Sequence, residues 1–276
     1  MITNYGWSIR HLQFNVCDQY LRDRTSICYN TSPDGRAQYI NHLVQYWEVN
    51  AISFQEMCLR TYVNLLNYLG NPWTGYFYHT VSVPPTRCSG STSWGIAVMV
   101  KTGISAPYTL PLPMDPNEPR FLHCGNATIY SGFRICTTHL TPDPHADQVA
   151  AVGDKTRYWA LQRHATIIGG DFNININSQP DCSQANRMKP LYTGYFGKGV
   201  WACGPGTNHY NEVDNQNVAF PPYDEATSGN SKFDYTFMNS SRFYSTTYPY
   251  YATTVGTTIS DHDMLRGFMT IHDDSA

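Results

Sequence analysis

The sequence predicts an α+β fold, with several strands forming a two-sheet core and helices outside it. Three observations carry this. Short strand-like runs recur along the chain, amphipathic helical patterns fall between some of them, and the remaining connections are long and rich in Pro, Gly, Ser and Asn. The strand-like runs are 9–16, 51–55, 95–101, 127–138, 166–168, 233–238 and 264–271. Ile40, Leu43, Val44 and Trp47 fall at i, i+3, i+4 and i+7, the stripe of a first helix. Leu59, Val63 and Leu66 mark a second, with Gly70 as its stop. A third covers 148–164, weakened by Gly153. The connections 102–119, 174–210 and 214–231 are expected on the surface, where binding is usually built. No repeat, low-complexity tract or clear linker interrupts the 276 residues, so one domain, 1–276, is the simplest account.

Composition narrows the class. The net charge is −3 and only 14% of residues are charged, which excludes a basic nucleic-acid coat and a polyanion. It does not exclude a nucleic-acid enzyme, because a few arginines beside a metal can hold a phosphate locally. No apolar run approaches the ~18 residues that span a bilayer. The opening, Met1 to Asn4, is not a signal peptide, and a leader is expected to have been removed. Eight cysteines include no CxxC pair, which argues against metal knuckles and thioredoxin motifs. Their order suggests neighbouring disulfides, Cys17–Cys28, Cys58–Cys88, Cys124–Cys136 and Cys182–Cys203. This is one of about 100 connectivities that eight cysteines allow. The alternative is eight buried thiols in a cytosolic protein. Cys182 and Cys203 lie in polar, Gly/Pro-rich loops, which favours disulfides and secretion. The sequons at Asn30, Asn126 and Asn239 matter only in a source that glycosylates.

The chemistry gathers at strand ends. "FNV" gives Asn15, "ISFQE" gives Glu56, "ICTTHL" gives His139 and "IIGGDFN" gives Asp171 and Asn173. "KFDYTFM" carries Asp234, and "ISDHD" gives Asp261 and His262. Burying such groups singly would cost several kcal/mol each. If the ends converge, the groups satisfy one another and can hold a divalent cation. Gly169 and Gly170 are expected to let the chain turn sharply. Asp171 and Asn173, two apart on an extended chain, would then point to one side. Carboxylate and amide oxygens suit magnesium, manganese or calcium. A carboxylate or imidazole can activate water, and a second imidazole can protonate a leaving oxygen. Taken singly, an acid after Gly-Gly is most often a turn residue, and a His beside Asp most often a surface pair. HExxH, GxSxG, P-loop and GxGxxG motifs are absent, and His123, His145 and His209 have no partner pattern.

The ordered set FN…QE…THL…GGDFN…DY…SDH resembles the endonuclease/exonuclease/phosphatase superfamily, from Phe14-Asn15 to Asp261-His262. The resemblance implies a four-layer α/β/β/α sandwich of two mixed sheets, DNase-like, with the site at one edge. It implies Glu56 as principal metal ligand, with Asn15 and Asp261 near the metal, a divalent cation for which magnesium is the first expectation and manganese or calcium the alternatives. It implies Asp171 orienting or deprotonating the attacking water, Asn173 on the phosphate, and His262 paired with Asp234. His139 matches the other imidazole of the nuclease and lipid-diesterase branches. Arg120, in "EPRF", is similar to a phosphate-contacting arginine, and Arg134 competes for that role. A planar guanidinium suits either position, since it holds two phosphate oxygens at once.

Three departures bear on substrate. "TPDPHADQ" after His139 is not the pattern of bacterial sphingomyelinases, basic residues are scattered, and the Cys182 loop is built differently from the family's. The leading expectation is a secreted, metal-dependent phosphodiesterase acting on DNA or RNA, with no obligate protein partner. The second is a phospholipid or sphingomyelin diesterase or a phosphomonoesterase. For a lipid substrate, the aromatic run 243–254 would meet a membrane, although an edge strand with half-buried tyrosines is the favoured reading of that run. The third, an inactive secreted binding module, is disfavoured because every matching position keeps its chemical type.

Overall fold

Strand alternation decides the layering. In the computed structural model, which describes residues 7–18, 28, 31–86, 88, 90–113, 118–128, 132–142, 146–175, 186–192, 227–229, 231–243 and 251–271, most central strands are buried on both faces. β1 (Trp7–Asn15) turns Leu12 and Phe14 toward helices, and Ile9, His11 and Gln13 toward a second sheet. Period two makes this sorting automatic.

The first sheet also contains β2 (Ala51–Cys58), β3 (Thr74–Ser82), β4 (Ser93–Val100), β10 (Tyr251–Val255) and β11 (Met264–Ile271), in the order β10-β11-β1-β2-β4-β3. The second contains β5 (Ile104–Pro111), β6 (Phe121–Ala127), β7 (Phe133–His139), β8 (Ala165–Asp171) and β9 (Asp234–Met238), in chain order. Helices α1 (Pro33–Tyr46) and α2 (Leu59–Leu69) cover the outer face of the first sheet through Ala37, Ile40, Tyr62 and Leu65. Helices α3 (Ala146–Leu161) and the short α4 (Lys189–Tyr192) cover the second through Val149, Val152, Leu191 and Tyr192. A one-turn helix, α5 (Ser240–Phe243), follows β9. The result is the expected four-layer α/β/β/α sandwich.

Local signals explain the helix ends. Ser32 accepts a hydrogen bond from the Gly35 N–H at 3.0 Å, and Pro33 opens α1. Gly70 closes α2 with φ 63°. Gly153 sits inside α3 because a Cβ there would lie 3.0 Å from Pro190 of α4.

The strand expectations need several corrections. The run 127–138 is not one strand: β6 ends at Ala127 and β7 begins at Phe133, as a hairpin. The connection 102–119 contains β5, and β3 was not anticipated. Both are edge strands with half-exposed residues, so neither shows a clean apolar period. β10 overlaps the end of the aromatic run 243–254, on a sheet edge, while 244–250 lie outside the described residues. Three expected disulfides are formed, Cys17–Cys28, Cys58–Cys88 and Cys124–Cys136. Cys182 and Cys203 lie outside the described residues, as does Asn30. No described helix is long and apolar enough to cross a membrane.

The space between the sheets is graded. One end is apolar, with Ile9, Ala51, Ile135, Ile167 and Met238. Two residues along, the inward positions become His11, Ser53, Thr137, Gly169 and Thr236. Two further, they become His139, Asp171 and Asp234, with Gln13, Gln55 and Asn15 opposite.

Candidate active site

Topology brings the polar ends together. β1 runs parallel to β2, and β7 parallel to β8, so each pair ends on the same side. Asn15 pairs in register with Gln55, and His139 with Asp171. β9 is antiparallel to β8, which sets its first residue, Asp234, opposite Asp171. The loop before β11 adds Asp261 and His262. Ser260 latches that loop: its hydroxyl donates to the Asn15 carbonyl at 2.8 Å and accepts from the His262 N–H at 3.1 Å.

Glu56 reaches the cluster through an irregularity. By alternation it would face the helices, since Ser53 and Gln55 face inward. The β2–β4 register shifts between Phe54 and Met57, and Glu56 has φ 52°. This bulge, with its left-handed residue, re-aims the side chain to the sheet edge. Asn173 is the other strained member, with φ 53°.

Asp171 is the hub. Its Oδ2 accepts from Asn15 Nδ2 and its Oδ1 from the Asn173 N–H, both at 2.9 Å. His139 Nε2 lies 3.7 Å from Asp171 and 3.8 Å from Glu56. His262 Nε2 lies 3.8 Å from Asp171 on the other side, and its Nδ1 is 2.6 Å from Asp234 Oδ2. The Asn173 amide donates to the Leu140 carbonyl at 2.9 Å.

Electrostatics divide these groups. Burial, then the Asp171 charge, pushes Glu56 up to about 7. Burial, then Asp234, pushes Asp171 up to about 7. Burial opposes a charge on His262, but the Asp234 charge and hydrogen bond, with Asp171 and Asp261, outweigh it and raise the imidazole to about 10. Burial, then Arg120 and His262, drives His139 well below its ordinary value. One imidazole is therefore charged and the other neutral at neutral pH.

The donor set suits a divalent cation. Burial and the Asp171 charge disfavour an ionised Glu56, burial and Asp234 disfavour an ionised Asp171, and a cation would relieve both. Among the described residues Asn15 Oδ1 accepts from the Cys17 N–H, at 3.0 Å, which leaves an amide oxygen lone pair toward the cluster. Asp261 stands exposed at the mouth. Among the described residues Asp171, Asp234 and His262 form one grouping of metal-ligand type, and Cys17, Cys28 and Asp261 another. The second offers no thiolate, because its sulfurs form a disulfide.

The double glycine is not a turn. β8 runs straight through Gly169 and Gly170 to Asp171, and neither glycine has positive φ. A Cβ on Gly169 would lie 2.6 Å from Ser53 Cβ and 2.7 Å from both Gln13 and His11. Gly169 thus lets the sheets approach where bulky polar side chains occupy the gap. A Cβ on Gly170 would lie 2.8 Å from the Thr138 carbonyl. The chain turns later, at Asn173, so Asp171 and Asn173 are not two residues of one extended segment.

The two arginines separate clearly. Arg120 directly precedes β6, is buried, and lines a crevice with Glu56, Thr80, Trp94, Glu118 and His139. Its Nη2 lies 3.1 Å from Glu118. Arg134 lies near the start of β7, five residues before His139 on that strand; it donates to Asn126 and stacks over Trp159 at 4.1 Å. The geometry therefore places Arg120, not Arg134, beside the cluster. His123 bonds Thr109 at 2.8 Å, and His145 and His209 lie outside the described residues. The sequence reading did not single out Gln13, whose Nε2 donates to Asp234 Oδ1 at 3.0 Å. The available signal was the inward face His11-x-Gln13-x-Asn15, polar on a strand whose other face is apolar.

Solved structures share this architecture. The human Nocturnin catalytic domain superimposes with a TM-score of 0.64 at 15% identity, covering 96% of this chain and 95% of that one. Caenorhabditis elegans TDP2 gives 0.60 at 16%, covering 97% and 76%. Bacteroides thetaiotaomicron mannosyl-6-phosphatase Bt3783 gives 0.59 at 14%, covering 96% and 100%. At such identities the likeness shows the fold. No curated protein matches the sequence. The profile of one family does, over residues 12–262, from the strand that ends on Asn15 to His262 itself. With a DNase-like sandwich and a carboxylate–imidazole cluster at its edge, the chain belongs to the Endonuclease/Exonuclease/phosphatase family, whose members are in general divalent-metal-dependent hydrolases of phosphoesters.

Proposed function

We propose that the chain is a secreted phosphodiesterase of nucleic acid, with DNA as first candidate and magnesium as its cation. The observation that carries this is the pair of imidazoles flanking Asp171, one held charged and one neutral. A diester leaves an alkoxide, a poor leaving group that needs a proton or strong charge stabilisation. Three disulfides support an oxidising compartment.

Glu56 would hold the cation, with Asn15 and Asp261 beside it. Bound there, the cation would supply polarisation of a phosphate oxygen and offset developing charge. Asp171, fixed by two donors, keeps lone pairs free to orient or deprotonate the attacking water. His262, clamped by Asp234, presents an N–H to the phosphoryl group. His139, neutral beside Glu56, can exchange a proton with the reacting oxygens. Arg120 and Asn173 would bind phosphate oxygens, Arg120 releasing Glu118 or sharing its charge.

The test offers supercoiled plasmid, RNA, sphingomyelin vesicles and a panel of phosphomonoesters, with magnesium, manganese, calcium or EDTA. Metal-dependent nicking of plasmid is expected. Glu56→Ala and His139→Ala should each lower it at least a hundredfold, about what loss of a catalytic acid or base costs, with unchanged circular dichroism. Release of phosphate or phosphocholine with intact plasmid would retain the site and reject the nuclease reading.

A further inference from the structure

Asp234 is fully buried, and each of its oxygens has its own partner. Oδ2 faces His262 Nδ1 at 2.6 Å. Oδ1 accepts from Gln13 Nε2 at 3.0 Å, across the gap between the sheets. Gln13 is also fully buried. Its oxygen accepts from Gln55 Nε2 at 3.0 Å, and the same nitrogen reaches Thr137 Oγ1 at 2.8 Å. Thr137 in turn donates to the Phe54 carbonyl at 3.0 Å.

The direction of this chain is fixed from its two ends. An ionised carboxylate only accepts, so the Gln13 amide must turn its NH2 to Asp234. A backbone carbonyl only accepts, so the Thr137 hydroxyl must donate to Phe54 and accept from Gln55. The two glutamines have one orientation that satisfies both ends. Gly169 makes room for it, since its absent Cβ would meet the Gln13 oxygen at 2.7 Å.

We propose that Gln13 is a positioning residue for the phosphoester chemistry, acting across the sheets by fixing the Asp234 carboxylate that orients His262. The proposal rests on the reading of His262 as a group that contacts the reacting phosphate. Without the Gln13 donor, Asp234 can rotate in the gap and its hold on the imidazole loosens. Gln55 and Thr137 hold Gln13, so the constraint comes from both sheets.

The substitution Gln13→Met keeps length and volume and removes the amide. The expected result is a fall in kcat of about tenfold, the usual scale for losing a partner that orients a working group, with KM little changed. In the His262→Ala background the same substitution should cost nothing further, because a residue acting only through His262 has nothing left to orient. The downfield proton resonance of the His262–Asp234 hydrogen bond should shift or broaden in Gln13→Met and vanish in Asp234→Asn. An equal loss of kcat in both backgrounds, or an unmoved resonance, would overturn the role of Gln13. Full activity of His262→Ala would instead overturn the reading of His262, and the resonance alone would then decide whether Gln13 fixes Asp234. If Gln13→Met does not fold, Thr137→Val removes the support one step further out and should move the same resonance.

Discussion

Asp171 is held between Glu56, two imidazoles and the Asn15 amide, and this crowding has a pH consequence. Glu56 and Asp171 both lie at about 7 in the metal-free fold, Glu56 through burial and Asp171, and Asp171 through burial and Asp234. A cation takes the ionised carboxylates, so protons compete with it below pH 7. The affinity for manganese should fall about tenfold or more per pH unit below 7, by isothermal titration, and equal affinities at pH 6 and 8 would contradict this. The sign for stability follows. Between ordinary carboxylate values near 4 and about 7 the metal-free fold binds protons that the unfolded chain does not. Stability therefore drops as pH rises through that window, and added cation should raise Tm more at pH 8 than at pH 5. Gly169 gives a prediction of another kind. Gly169→Ala adds one methyl group between the sheets, 2.6 Å from Ser53. It should cost about 1–3 kcal/mol in urea denaturation, the range for overpacking, whereas a glycine needed only for a turn would leave the sheet spacing untouched.

Among the elements, α1 does more than cover a sheet. Its Arg36 is fully buried, with Nε 3.1 Å from Asp18, and donates to the carbonyls of Val16, Ile259 and Cys28. The Asp18 N–H bonds the Glu56 carbonyl at 2.9 Å, and Asp18 Oδ2 accepts from the Cys58 N–H at 3.0 Å. One ion pair thus ties the helix to the ends of β1 and β2 and to the loop carrying Asp261 and His262. Arg36→Met should cost about 3–5 kcal/mol, because it strands a buried carboxylate. Adding Asp18→Asn should recover part of that loss by removing the charge. A double variant no more stable than the single one would show that the carbonyl contacts, not the charge, dominate.

In the whole molecule the polar gradient between the sheets carries pH-dependent contributions to stability of both signs. His11 is buried in the gap, with Nε2 2.9 Å from Ser53 and Nδ1 3.2 Å from Thr236. Burial lowers its pKa to about 3. Between about 3 and its ordinary 6.5 the unfolded chain binds a proton that the fold does not, so this contribution is full above 6.5 and is lost as pH falls. The slope is about 1.4 kcal/mol per pH unit. Glu56 and Asp171 act with the opposite sign, so the quantity to measure is the difference between the wild type and His11→Gln. Their stabilities should converge as pH falls from 7 to 4, and parallel curves would show that His11 titrates in the fold as it does in the unfolded chain.

Residue types and their order were enough to expect Asn15, Glu56, His139, Asp171, Asp234, Asp261 and His262 at one place, because strand ends bearing acids and imidazoles are costly to bury unless they converge. Short strand-like runs and amphipathic helical patterns were enough for a two-sheet α+β core with helices outside, and the four-layer sandwich followed from the resemblance of the ordered motifs to the family. Edge strands β3 and β5 escaped because half-exposed residues carry no strong period. The choice between Arg120 and Arg134 is a matter of sheet register: the two flank the β6–β7 hairpin at opposite ends, a distance that sequence separation does not express. The purpose of Gly169 and the work of Gln13 likewise belong to the tertiary structure. Both depend on what stands across the gap in the other sheet, and that neighbour comes from a part of the chain more than 150 residues away in the case of Gly169 and Gln13. The sequence alone could therefore determine which groups gather at one end of the sheets. How closely two sheets may pack around them, and which buried donor holds each carboxylate, was decided only when the chain folded and long-range packing put those atoms in contact.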